Sequence, residues 1–379
     1  MNSSIVKAPA EPPLCDGMVG PDRSSGQDSN APPSPRFSLR RVGSFFVDKV
    51  TQSAGLLATL RNSRVFRRWQ GFYLNQIRRV WNHLPDSIRH RSLGRALGRH
   101  LHALVRRRAE RKQYFATFFL RNRPELELMR RLADKKAHGS SLKIAVLACS
   151  KGAEVYSIAW TVRSARPDLE LSVEAVDISQ EILDFAETGV YSLARNTNSS
   201  ASSNQSITDL GGVFWNTDRD QNAWIFERMT PEEMNAMFEL EGGRAMVKPW
   251  LKEGITWMRG DAADPRLIDA LGPQHMVVAN CFLCHMDPPA AEKCLRNIAR
   301  LVKPGGHLFV SGVDLNVRTK VARELRLKPV TDLTREIHDG DPSIRSGWPL
   351  EYWGLESFDD DRPDRWIRYA SVFQIGDAL

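Results

Sequence analysis

From Thr117 onward the chain alternates short apolar runs with stretches of helical periodicity, and this restricts the fold more than any other feature. Strands are predicted over residues 144–147, 171–176, 255–258, 276–279 and 307–310, with 367–373 the best candidate for a last strand. Helices are predicted over 154–163, 180–187 and 290–301. Strand and helix in alternation predict an α/β fold, with a mostly parallel sheet covered by helices on both faces.

A sheet of this kind binds nucleotide-like ligands at the carboxyl ends of its strands, where the strand order reverses. The first such end reads Ala148-Cys149-Ser150-Lys151-Gly152-Ala153-Glu154. Small residues and a glycine let the backbone approach a ligand closely, and the helix that follows offers free N–H groups. The dinucleotide fingerprint G-x-G-x-x-G is absent, which lowers the case for a dehydrogenase. Glu154 can pair with the amino group of a bound methionine moiety, or can simply be an acid stabilised in the first turn of a helix.

The second strand ends in Asp177-Ile178, where a carboxylate can accept hydrogen bonds from both hydroxyls of a ribose. Its bland alternative is a helix N-cap, a role for which Ser179 competes. The third strand leads into Gly260-Asp261-Ala262, where a polar side chain can meet an adenine edge. The fourth runs into Asn280-Cys281-Phe282-Leu283-Cys284-His285. Lys303-Pro304-Gly305-Gly306 reads as a helix stop before the fifth strand, a frequent feature of methyltransferases that use S-adenosylmethionine (SAM).

Residues from about 117 to 313 resemble the chemotaxis-receptor glutamate methyltransferases, the CheR-like family. The matching pieces are Phe118-Phe119, the run from Ala148 to Ser157, Ala175-Val176-Asp177-Ile178-Ser179, Ile182-Leu183 through Ala186, Gly189-Val190-Tyr191, Val247-Lys248-Pro249 and Leu301 to Phe309. The resemblance implies a class I methyltransferase (Rossmann-like) fold, a helical N-terminal domain, a small subdomain inserted near 210–250 and S-adenosyl-L-methionine as methyl donor. It makes Ala148, Cys149, Ser150, Gly152, Glu154, Asp177, Ile178, Asp261, Ala262 and Asn280 the expected cofactor contacts.

The substrate side departs from the family pattern. An arginine facing the substrate carboxylate usually follows the Phe-Phe pair directly; here Leu120 intervenes and Arg121 is offset by one. Tyr114 and Ala116 stand where the family has polar residues. Its Arg-Asn after the fourth strand is Asn280-Cys281, and its tyrosine near the reactive methyl aligns with His285. Arg121 and His285 are therefore the expected catalytic residues. A carboxylate acceptor is ionised at neutral pH and needs only to be held, whereas an alcohol or amine must lose a proton, for which His285 is suited. His285 can equally be a neutral, hydrogen-bonded residue of the pocket wall.

Cys281-Phe282-Leu283-Cys284-His285 also matches the haem-attachment pattern C-x-x-C-H. Haem attachment normally occurs outside the cytoplasm and no signal peptide stands out, so haem is disfavoured. So is a structural zinc, because the other cysteines are unsuitably spaced. Five cysteines, odd in number, suit reduced thiols in the cytoplasm, and no apolar run is long enough to span a membrane.

Charge divides the chain. Residues 61–112 carry a net +13 against +8 for the whole, leaving −5 elsewhere. The expected organisation is a disordered tail over 1–35, a basic helical module over 36–115 and a methyltransferase domain over 116–379 with an insertion at about 192–250. In the module, Val65, Trp69, Phe72, Ile77 and Trp81, then Leu93, Leu97, Leu101 and Leu104, fall at helical spacings interrupted by Leu84-Pro85. The basic surface is either a solvated face or a dock for an acidic helical partner or anionic surface. The acid-rich stretch 336–364, with Trp348 and Trp353, is either a substrate-pocket wall or ordinary packing at the sheet edge. Three functions remain open: a protein-glutamate O-methyltransferase, a small-molecule O- or N-methyltransferase using His285 as base, and a non-catalytic SAM-binding interaction module.

Overall fold

The computed structural model describes residues 91–106, 115, 117–193, 225–341 and 354–376, with Leu350 and scattered positions between 72 and 85, all within one compact unit spanning Asn62–Leu379. The 1–35 tail, Val65, Trp69, Leu84, Tyr114, Ala116, the polar tract 196–206, Trp348 and Trp353 lie outside the described residues.

In the basic segment, helix α1 (Ser92–Arg106) buries Gly94, Gly98, Leu101 and His102. That stripe follows the helical period but leaves Leu93 82% exposed, so the apolar face is narrower than the leucine spacing suggests. Helices α2 (Arg123–Asp134), α3 (Ala153–Ala165) and α4 (Gln180–Thr188) are interleaved with strands β1 (Ser141–Leu147) and β2 (Glu170–Asp177). Strand β3 (Val190–Ser192), helix α5 (Pro231–Met237) and strands β4 (Phe238–Glu241) and β5 (Arg244–Val247) form a small subdomain with a three-stranded antiparallel sheet, β3-β5-β4. The main sheet resumes with β6 (Ile255–Arg259), β7 (Gln274–Val278), helix α6 (Pro288–Ala299), β8 (Val302–Phe309), helix α7 (Leu315–Glu324), β9 (Lys328–Pro329), helix α8 (Thr334–Asp339) and β10 (Val372–Gln374).

The seven strands lie in the order β6-β2-β1-β7-β8-β10-β9. The first five are parallel, and β10 inserts antiparallel between β8 and β9. This is the class I methyltransferase architecture. The order reverses at β1, with β2 on one side and β7 on the other, so a crevice must open above Leu147.

Alternation along the strands divides the core between the two faces of the sheet. Ala145, Leu147, Val277, Leu308 and Val310 face α6 and α7, while Ile144, Val146, Met276, Val278 and Phe309 face α2 and α3. Burial on both sides is why these strands read as continuous apolar runs.

Two elements differ from expectation. Helix α6 ends at Ala299, and Pro304-Gly305-Gly306 lies inside β8 rather than at a helix stop. Val302 pairs with Gln274, the chain bulges over 303–306, and pairing resumes at His307 opposite Met276. Gly305 sits at φ +75°, and a Cβ on Gly306 would lie 2.7 Å from the His275 carbonyl, so the two glycines serve the bulge. Ile367 belongs to a helical turn, Arg365–Arg368, and the last strand is confined to β10.

Candidate active site

Between β1 and α3 the backbone takes left-handed conformations at Ala148 (φ +55°), Ser150 (φ +52°) and Gly152 (φ +82°). For the two non-glycine residues this stores about 1–3 kcal/mol of strain each. The fold overrides that strain with hydrogen bonds from the loop. The Cys149 N–H donates to the Val176 carbonyl at 3.0 Å, and the Ser150 hydroxyl donates to the Phe115 carbonyl at 2.8 Å. The Ser150 N–H donates to Asp177 Oδ2 at 3.0 Å, and the Ser179 N–H to Asp177 Oδ1 at 3.1 Å. Asp177 is thus aimed by backbone at both oxygens. Burial raises its pKa above the usual value, while these N–H donors pull the other way. Ser179 is N-cap of α4 by position but makes no side-chain cap bond.

The loop borders a cleft with about 900 Å³ of empty space, counted to its open mouth. Of the residues singled out in the sequence, Ala148, Cys149, Ser150, Glu154, Asp177, Ile178, Ala262, Asn280, Arg121 and His285 line it. Gly152 and Asp261 do not. A Cβ on Gly152 would point at Trp257 (3.0 Å) and Ala186 (3.1 Å), so this glycine serves the left-handed turn and the packing of α3 on β6 and α4. Asp261 Oδ1 accepts the Ala263 N–H at 2.8 Å, and it is Gly260 and Ala262 that face the cleft.

The opposite wall is built from side chains. Leu120 takes φ +52°, with its N–H donating to the Ser157 hydroxyl at 2.9 Å. This turn accommodates the extra residue after Phe119, and Arg121 reaches the cleft. The subdomain braces it: Arg123 pairs with Glu233 at 2.5 and 2.8 Å, Arg228 donates to the Arg121 carbonyl, and both Arg121 and Arg228 lie over the Phe118 ring. Phe119 is buried among Tyr191, Phe226 and Phe238. Burial opposes the charge of Arg121, but the Cys281 side chain and the carboxylates of Glu154 and Asp341 outweigh it, and the pKa is raised. Among the described residues lining the cleft, Arg121 is the one permanently cationic side chain.

Asn280 holds this wall together. Its Nδ2 donates to Glu125 Oε1 at 2.7 Å and to Glu154 Oε1 at 2.8 Å. Its Oδ1 accepts from the Ser311 N–H at 2.9 Å and the Ser311 hydroxyl at 2.8 Å. Cys281 follows at φ +60°, and Cys284 Sγ approaches the Cys281 carbonyl at 3.8 Å. Both are free thiols; burial pushes Cys281 up to about 11 and raises Cys284 further. His285 ends a 3-10 turn, Leu283–His285, and burial lowers its pKa to about 4.

Glu125, Ser311 and Asp341 escaped the sequence reading. Glu125 had a signal: the buried stripe of α2 is Glu125, Leu128, Met129, Leu132 and Ala133, an acid at a core position of an otherwise apolar face. Asp341, just beyond α8, brings the 336–364 stretch into the electrostatics of Arg121. Among the described residues of that stretch, Leu350, Leu355 and Phe358 pack against Leu315 of α7 and Tyr369. No helix among the described residues is long and apolar enough to cross a membrane.

Residues 116–210 match the family profile of the CheR methyltransferase SAM-binding domain. The "Probable biofilm formation methyltransferase WspC" of Pseudomonas aeruginosa is 23% identical over 206 residues, 53% of this chain and 42% of that protein. The chain thus spans less than half the length of this relative. Similar solved structures include an O-methyltransferase family protein from Burkholderia thailandensis, at 15% identity and TM-score 0.28, covering 62% of this chain and 46% of that one. Another is magnesium protoporphyrin IX methyltransferase from Synechocystis with bound SAM, at 13% identity and TM-score 0.28, covering 55% and 71%. The chain carries a SAM-dependent methyltransferase domain, and its cofactor is S-adenosyl-L-methionine.

Proposed function

We propose that the protein transfers the methyl group of SAM to a carboxylate on an acidic protein, as a protein-glutamate O-methyltransferase of the chemotaxis type. The observation that carries this reading is the charge of the cleft wall. Arg121 is its cation, held by the turn at Leu120 and by the subdomain. A carboxylate acceptor needs such a cation and no base. The runner-up, a small-molecule methyltransferase using His285 as base, needs a histidine titrating near neutrality. At about 4, His285 is a weak base. A non-catalytic SAM-binding module remains the third reading.

The residues present fit the cofactor. Asp177 offers two oxygens, fixed by backbone donors, to the ribose hydroxyls, and Val176, Ile178 and Ala262 offer an apolar slot to the adenine. Glu154, steadied by Asn280, offers a carboxylate to the amino group. When bound, SAM supplies a sulfonium-activated methyl for in-line displacement, a reaction that depends on alignment. Arg121 aligns the acceptor oxygen, and the subdomain brace keeps Arg121 in place. An acidic helical partner for the basic N-terminal segment, and a cytoplasmic location, belong to the same proposal.

The test is transfer of labelled methyl from SAM to acidic protein fractions, followed by mild alkali. Base-labile label, lost with Arg121→Ala while S-adenosylhomocysteine (SAH) still binds, is the expected outcome. Alkali-stable label on a small molecule selects the runner-up. SAH binding with no transfer to any acceptor selects the third reading.

A further inference from the structure

A second, smaller cavity lies behind the cleft and shares Arg121, Glu154 and Asn280 with it. Its inner wall carries Glu125, Ser157 and Ser311. Glu125 is only 5% exposed, and its Oε2 has no hydrogen-bond partner among the described residues. Its Oε1 and Glu154 Oε1 share the single amide nitrogen of Asn280, at 2.7 and 2.8 Å. Two carboxyl groups therefore converge on one donor at the boundary of the two cavities.

This position of Glu125 is not explained by helix capping. Asn122 caps α2 by accepting the Glu125 N–H at 3.4 Å, but the Glu125 side chain does not return to the cap and turns inward instead. The charged and titratable groups around it come from several elements. They are Arg121 before α2, Glu154 on α3, Arg318 on α7 and Asp341 after α8. Burial, then the charge of Glu154, push Glu125 up to about 8, with Asn280 and Arg121 opposing and Asp341 adding to the rise.

We propose that Glu125 is the second carboxylate of the seat for the cofactor's ammonium group, protonated without cofactor and ionised with it, so that binding expels one proton to solvent. The inference rests on the reading of Glu154 as the ammonium partner. A cation beside Glu154 cancels the field that helps keep Glu125 protonated, and the unpartnered Oε2 supplies a further acceptor on the same side. The proton leaves the Glu125 carboxyl for solvent, and the negative charge left there is balanced locally by the ligand's ammonium, SAH as a whole being a neutral zwitterion.

The test is calorimetric titration with SAH at pH 7 in two buffers of different ionisation enthalpy, which counts protons released. Wild type is expected to release about 0.9 proton per site, and its affinity to rise about fivefold between pH 7 and pH 8. Glu125→Gln keeps the shape and the acceptor for Asn280; it is expected to bind SAH with no proton release and a flat profile over that interval. 5′-Methylthioadenosine keeps the ribose but lacks the amino-acid moiety. Its binding to wild type should release no proton, which separates Glu125 from Asp177 without any variant. SAH binding without proton release, or equal release from Glu125→Gln, overturns the inference alone. Failure of wild type to bind SAH overturns the cofactor site and this inference together.

Discussion

The two walls of the cleft are made of different material. On the side of β1, β2 and β6 the geometry is set by backbone: left-handed turns at Ala148 and Ser150, and N–H groups of Ser150 and Ser179 that clamp Asp177. On the side of α2 and β7 it is set by side chains from distant parts of the chain, with Asn280 joining Glu125, Glu154 and Ser311. Backbone tolerates the exchange of most side chains around it, so the cofactor wall depends on few identities. The side-chain wall rearranges when any one member changes. The run that resembles the CheR-like pattern lies on the backbone wall, whereas Leu120, Asn280 and His285, which depart from that pattern, lie on the other, so the side-chain contacts described there belong to this chain's own residues.

The sharpest way to break this contrast is Asp177→Ala, which removes the one side chain on which the backbone wall converges. The variant strands the Ser150 and Ser179 N–H groups and removes both ribose acceptors. Loss of hydrogen bonds to a charged group predicts SAH affinity at least about 100-fold weaker, measured by calorimetry. A variant that binds within a few-fold of wild type would show that the backbone alone holds the ligand, and the comparison would need redrawing.

The same contrast explains how much of the site was legible in the sequence. The strand ends were found because the signals are local: an apolar run, then small residues, then an acid at the end of the next strand. The side-chain wall hides in separations such as the 155 residues between Asn280 and Glu125. Two helix starts show how local reading fails there. Thr230 and Glu233 form a reciprocal capping box at α5, with both bonds made. Asn122 and Glu125 have the same spacing at α2, yet only the Asn122 half forms and the glutamate is buried toward the site. One spacing serves two purposes, and tertiary burial decides between them. Pro304-Gly305-Gly306 misled in the same way, because a turn-forming sequence also suits a bulge inside a strand.

Asn280→Ala tests the other wall and should produce the next largest effect. Asn280 is buried and makes four hydrogen bonds, two to carboxyl groups. Its removal leaves Glu125 and Glu154 facing each other with no shared donor. A loss of about 2–4 kcal/mol in stability is expected, together with weaker SAH binding. Thermal unfolding with and without SAH separates the two. If stability falls and SAH affinity does not, Asn280 supports the fold but not cofactor binding.

The smallest effect is expected at His285, and it sharpens the choice of acceptor. A general base contributes about 100- to 10,000-fold to rate, so His285→Gln should lose that much if the histidine abstracts a proton. If it only completes the wall beside a carboxylate acceptor, methyl transfer should change by less than about threefold. Stability gives a check that requires no acceptor. The folded pKa is lowered by burial to about 4, below the ordinary histidine value, so the unfolded chain takes up a proton first as the solution is acidified. Wild type should therefore lose stability as pH falls from about 6.5 toward 4, with no such contribution at neutral pH or above. His275 and His307 are also lowered to about 4 and contribute to the same slope, so His285→Gln should make it shallower without abolishing it. An unchanged slope combined with a large loss of transfer would mean that His285 titrates near the ordinary histidine value in the folded protein and works as a base, and the acceptor would then have to be one that needs a base.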